Sequence, residues 1–179
     1  MMTRYLIASL IALSPHSVIA NDFNLEADTK PAPVMAITVD YIPAAEDMYG
    51  ITLAPRHYDR DYADWGYYIG YAQSKKEDVY VEPPGEAYTR NTLWRFGLSY
   101  TLTADLSLYG GATAYTTEYS STTNIVPYVV GAEPVWETEK DTSWGAEVGL
   151  RYVIGKHLML GAGYNSATES AVLSIGYSM

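Results

Sequence analysis

A general base is the scarcest group in this sequence. Outside the first twenty residues only His57 and His157 offer one. Nucleophilic or acid–base catalysis needs such a base beside a nucleophile and an orienting acid. Neither His57-Tyr58-Asp59 nor His157-Leu158-Met159 supplies a serine next along its own strand face. There is no cysteine, which removes thiolate metal sites, disulfides, cysteine nucleophiles and a lipoprotein anchor. Two separated histidines form no metal constellation. The acidic clusters Glu77-Asp78 and Glu137/Glu139/Asp141 read as solvated loop surface rather than Mg²⁺ or Ca²⁺ ligands. No glycine-rich turn opens a helix, so nucleotide binding has no support. The expectation is no catalytic residue, no metal and no cofactor. What remains is a set of charges on strand positions otherwise filled by glycine and serine: Asp40, Arg56, Arg95, Glu147 and Arg151. Glu147 and Arg151 sit four positions apart, about 13 Å along a strand, so their partners come from other strands. The set is either a satisfied ionic plug or a gate in which Glu147 exchanges between arginines and opens a narrow water path.

These charges are placed by a period of two, the strand signal. Eight apolar rows recur from Val34 onward, among them Met35-Ile37-Val39-Tyr41, Trp65-Tyr67-Ile69-Tyr71, Trp94-Phe96-Leu98-Tyr100, Trp144-Ala146-Val148-Leu150-Tyr152 and Ala171-Leu173-Ile175-Tyr177. None of the eight rows contains a charge. The intervening positions hold the charged set together with ten of the 14 glycines. Glycine weakens a strand, so glycines concentrated on one face need a spatial reason. A closed eight-stranded barrel provides it, because its interior is only just wide enough for side chains. A soluble barrel would put the large apolar row inside. The small and charged row fits there instead, and apolar-out, polar-in is the arrangement of a barrel in lipid. The fold expected is all-β, an eight-stranded antiparallel up-and-down transmembrane barrel.

Residues 1–20 read as a signal peptide, with Arg4, the apolar run Leu6–Leu13 and Val18-Ile19-Ala20 before Asn21. Residues 21–33 read as a periplasmic N-terminal tail and 34–179 as the barrel. No other apolar run reaches the ~18–20 residues of a spanning helix. A net charge of −10 argues against nucleic acid as a partner. Connections alternate short and long, the long ones being 74–91 and 116–143, so short turns and both termini are expected on the periplasmic side and long loops outside. In that orientation Tyr41, Tyr49, Tyr71, Trp94, Trp144 and Tyr164 mark the external ends of the outward rows. Trp65, Tyr100, Tyr152 and Tyr177 mark the periplasmic ends, completing two aromatic girdles.

The signal peptide, the eight alternating strands and the closing Ala171–Met179 strand resemble the small outer-membrane barrels of the OmpA membrane-domain and OmpX/Ail type. The resemblance covers about 34–179 as an architecture, not as a sequence motif. Its members usually end in phenylalanine, whereas this chain ends Tyr177-Ser178-Met179. The peptidoglycan-binding domain of full-length OmpA-type proteins has no counterpart here, so the resemblance implies no cell-wall tether. It implies a structural or surface-interaction role through loops 74–91 and 116–143, with Tyr128, Val129, Val130, Val135 and Trp136 as candidate contacts on a hairpin extending beyond the membrane. Expected partners are outer-membrane lipid, lipopolysaccharide and a surface protein or host ligand met by a monomer. A narrow gated pore is the alternative. Some barrels of this size modify lipid A, which leaves an enzyme as a third, weaker option.

Overall fold

The computed structural model describes residues 35–55, 65–83, 85–103, 105–122 and 135–179. The signal peptide, the tail, Val34, Arg56, His57, Tyr128, Val129 and Val130 lie outside the described residues. Alternation in the sequence becomes strand throughout: β1 (Met35–Pro43), β2 (Asp47–Pro55), β3 (Trp65–Ser74), β4 (Glu77–Val79), β5 (Ala87–Thr101), β6 (Leu106–Thr122), β7 (Trp136–Ile154), β8 (Leu158–Asn165) and β9 (Ser170–Ser178). All neighbours pair antiparallel. β1 joins β9, and β3 joins β5, which closes the sheet into a ring of eight. β4 stands outside that ring and extends it by three residue pairs on β5, from Glu77 opposite Thr89 to Val79 opposite Ala87. Closure leaves no open edge around the wall, the condition a sheet must meet in hydrocarbon.

The pleat sends the two rows to opposite sides. Val39, Ile51, Leu98, Val148 and Ile175 are each more than half exposed on the outside, while Asp40, Arg95, Thr113 and Glu147 are buried within. Small residues let the interior close around large ones. The rings of Tyr68 and Tyr109 meet edge-on at 5.4 Å. A Cβ at Gly149 or Gly163 would strike the Tyr109 ring, and one at Gly97 or Gly111 would strike Tyr68. Gly97, Gly111, Gly149 and Gly163 are therefore the socket for two buried tyrosines.

Strand lengths set the shape. β1, β2, β3, β8 and β9 have 8 to 10 residues, about what a tilted strand needs to cross a bilayer. β5, β6 and β7 have 15, 17 and 19. Their excess stands beyond the ring at the end opposite the chain termini. At the terminal end β7 turns tightly into β8 through Gly155 (φ 68°), and Met35 and Met179 exchange both backbone hydrogen bonds at 2.9 Å.

Candidate functional site

Two places concentrate polar chemistry, the lumen and the protruding sheet. In the lumen, Arg95 on β5 is the hub. Its Nε donates to Glu147 Oε2 at 2.7 Å and its Nη1 to Asp40 Oδ2 at 2.8 Å, joining β5 to β7 and to β1 across the interior. Nη1 also donates to Thr52 Oγ1 at 3.1 Å. Asp40 is saturated by hydroxyls, accepting from Ser174 at 2.6 Å, from Thr38 at 3.1 Å and from Thr52. Arg151 is held differently. Its guanidinium lies 4.1 Å from the Tyr109 ring centre and 4.9 Å from that of Tyr68, a cation–π contact with both rings rather than an ion pair. The structure thus brings Asp40, Arg95 and Glu147 into one network and sets Arg151 beside it. In this arrangement Glu147 is paired with Arg95.

Toward the long-hairpin end the lumen holds an apolar cluster beside the buried polar residues Ser74, Asn91 and Asn165. Ile42, Met48, Ala72, Leu93 and Val172 meet there, all 0% exposed, with Ala44 and Tyr115 packed against them. Sequence reasoning treated the inward row as glycine, serine and charge, and missed this apolar layer. Its signal was present: these five residues share the inward parity of Asp40, Thr52, Arg95 and Ser174. At the terminal end, a cavity of about 50 Å³ is bounded by Arg151, Asp105, Ser107 and Ser178 among others. His157 sits at this end, stacked on Tyr177 at 4.8 Å with Nδ1 2.9 Å from the Ser178 carbonyl oxygen.

The aromatic residues assigned to girdles pair across strands. Tyr41 faces Tyr49 at 5.5 Å, and Tyr71 faces Trp94 at 4.8 Å toward the long-hairpin end. Trp65 faces Tyr100 at 4.8 Å toward the terminal end. Trp144, Tyr152, Tyr164 and Tyr177 are exposed on the outer wall, while Tyr41 and Tyr100 are half-buried against their partners.

Beyond Trp94 and Trp144 the same outer face turns polar. Glu118 on β6 lies between Arg90 Nη2 on β5 and Lys140 Nζ on β7, 3.0 Å from each. Ser120 meets Thr138 at 3.0 Å and Thr116 meets Thr142 at 2.9 Å. Glu86 and Thr122 close the outer corner, with Thr122 N donating to Glu86 O at 2.8 Å and Glu86 N to Thr122 Oγ1 at 2.7 Å. Trp136 packs on Tyr88 at 5.4 Å, and Lys76 Nζ lies 4.1 Å from the centre of the same Tyr88 ring. Val135 is exposed beside Trp136. This ribbed sheet was legible only as a hairpin; its cross-strand ion pairs were not.

No family model matches the chain, and no curated protein matches it. Among solved structures it is similar to Ail, the attachment invasion locus protein of Yersinia pestis, in complex with the heparin analogue sucrose octasulfate. The identity is 16% and the TM-score 0.52, over 81% of this chain and 95% of that one. The N-terminal β-barrel domain of Pseudomonas aeruginosa OprF also matches, at 15% identity and a TM-score of 0.40, over 81% of this chain and 96% of that one. The all-β closed barrel of eight strands is the fold this chain shares with Ail.

Proposed function

We propose that this chain is a non-catalytic outer-membrane barrel that works at the cell surface through the sheet projecting from β5, β6 and β7. Its apolar outer wall, bounded by paired aromatics at both ends, suits a bilayer. Short turns and the termini then face the periplasm, and the projection faces outward. Lipid and lipopolysaccharide surround the wall of a monomer, and a macromolecule meets the projection. The observation that carries this function is the continuation of β6 and β7 as one paired hairpin past the belt, ribbed by Arg90, Glu118 and Lys140. A rigid protrusion presents its contacts without a large ordering cost.

The gated pore has less support, because moving Glu147 leaves the layer of Ile42, Met48, Leu93 and Val172 in place. Lipid A chemistry has less still, with His157 occupied by Tyr177 and Ser178 at the terminal end. Ail was crystallised with a sulfated sugar. The projection here carries Glu137, Glu139 and Asp141, all exposed, a charge that disfavours a polyanion. The test is to replace residues 118–140 by Asn-Gly, which Thr117 opposite Asp141 can accept as a tight hairpin. The barrel should still shift in gel mobility on heating, and cells expressing it should lose adhesion to protein-coated surfaces. Unchanged adhesion would overturn the surface role.

A further inference from the structure

The terminal end of the lumen holds a buried cation whose N–H groups have no acceptor. Arg151 is 3% exposed, and its guanidinium meets the rings of Tyr109 and Tyr68. A ring face attracts the charge but brings no oxygen to the five N–H donors. Among the described residues Arg151 makes no hydrogen bond and no ion pair. Glu147, the nearest carboxylate along β7, is already held by Arg95. A donor withdrawn from water and left unmet is expensive, so something else accepts from this guanidinium.

The space for such an acceptor is present. The cavity of about 50 Å³ at this end has Arg151 in its wall, together with Ser99, Ser107 and Ser178. Register groups them: Ser107 on β6 lies opposite Arg151 on β7, and Gly161 on β8 flanks Arg151 from the other side. Ser178 is 0% exposed, yet its Oγ has no partner. The Ser99 and Ser107 hydroxyls also make no hydrogen bond among the described residues. Beyond Arg151 the buried rings of Tyr68 and Tyr109 fill the lumen. The cavity is therefore a blind well entered from the terminal end.

Volume and chemistry together select the occupant. At roughly 10–15 Å³ per water, the well takes about three to five waters or one compact oxyanion in their place. Its polar lining is rich in donors. The strand carbonyls around it are engaged in the ladder, and Asp105 is the one carboxylate among the lining residues. Asp105 lies in the β5–β6 connection, partly exposed and without an ion pair to Arg151. A water in this well has two protons of its own to place, whereas an oxyanion only accepts. A guanidinium fork backed by hydroxyls matches the oxygens of such an ion.

We infer that Arg151, Ser107 and Ser178 form a binding site for a small oxyanion of the phosphate or sulfate class, open to the side on which the termini lie. Arg151 supplies the charge and a two-pronged contact, and the two serines donate to the remaining oxygens. Asp105 at the mouth lowers the affinity through its charge.

The experiment uses the full chain refolded in uncharged, phosphate-free maltoside micelles, with inorganic phosphate as the probe at constant ionic strength. Phosphorus NMR should show saturable broadening of the phosphate line, reversed by sulfate and not by chloride. Arg151→Met should abolish it. Ser178→Ala should weaken it roughly tenfold, as loss of a hydrogen bond to a charged group does. Asp105→Asn should tighten it roughly threefold, the worth of one partly exposed charge. The shift in gel mobility on heating checks that each variant is folded; if Arg151→Met is not, the Ser178 and Asp105 variants decide. A wild type without saturable broadening has water alone in the well, which overturns the inference. Broadening that survives Arg151→Met, or that neither other variant alters, overturns it equally.

Discussion

Arg95 holds Asp40 and Glu147 at once, with all three side chains withdrawn from solvent. The guanidinium supplies the countercharge for both carboxylates, and an uncompensated buried charge costs several kcal/mol. Arg95→Met should therefore destabilise the barrel by about 3–5 kcal/mol, read from urea unfolding of the refolded protein in micelles. Adding Asp40→Asn and Glu147→Gln to Arg95→Met should recover much of that loss. A triple variant no more stable than Arg95→Met would show that charge compensation is not what Arg95 contributes. Arg56 was grouped with these residues on parity alone and lies outside the described ones.

At the scale of the element, two carboxyls beyond the belt respond to pH with opposite sign. The Lys140 hydrogen bond, aided by Arg90, holds Glu118 below its ordinary pKa against the opposing effect of burial. Its bracing of β5, β6 and β7 is thus fully present above the ordinary carboxylate value and is lost as pH falls through the lowered one. Glu46, in the β1–β2 turn, goes the other way. Burial first, and then the Glu77 carboxyl beside it, raise its pKa, although Asn91 Nδ2 donates to it at 3.0 Å. That corner is strongest below the ordinary value and weakens as pH rises through the raised one. Amide hydrogen exchange between roughly pH 3 and pH 7 should show β6 and β7 amides of the projection losing protection toward acid. Amides of the β1–β2 turn should gain it. A common direction in both would sink the assignment.

For the whole molecule, the decisive arrangement is the stacking of layers inside the ring. The Arg95 network and the contact of Arg151 with the Tyr68 and Tyr109 rings lie below the apolar cluster of Ile42, Met48, Ala72, Leu93 and Val172. An ion passing those five side chains would lose water against apolar surface, which is costly. Planar-bilayer recordings should show no stepwise conductance for the wild type or for Glu147→Ala. Regular steps in the wild type would show a wet lumen and revive the pore.

Period two determined the barrel from the sequence, because in a closed sheet every residue's side is settled by parity alone. The row Met35-Ile37-Val39-Tyr41 had to face away from Asp40. The inward glycines announced large neighbours, and Tyr68 and Tyr109 are those neighbours. Parity does not say which residues meet across the lumen, and that was left to tertiary structure. Strand stagger brings Arg95 to Asp40 and Glu147, whose positions in the chain are far apart, and places Arg151 on aromatic rings instead of a carboxylate. The apolar layer and the extension of β7 past β8 were likewise invisible locally. The first depends on five strands converging at one height, the second on β8 ending where β7 continues. Spacing along a chain fixes direction; the distance between strands is a property of the closed ring alone.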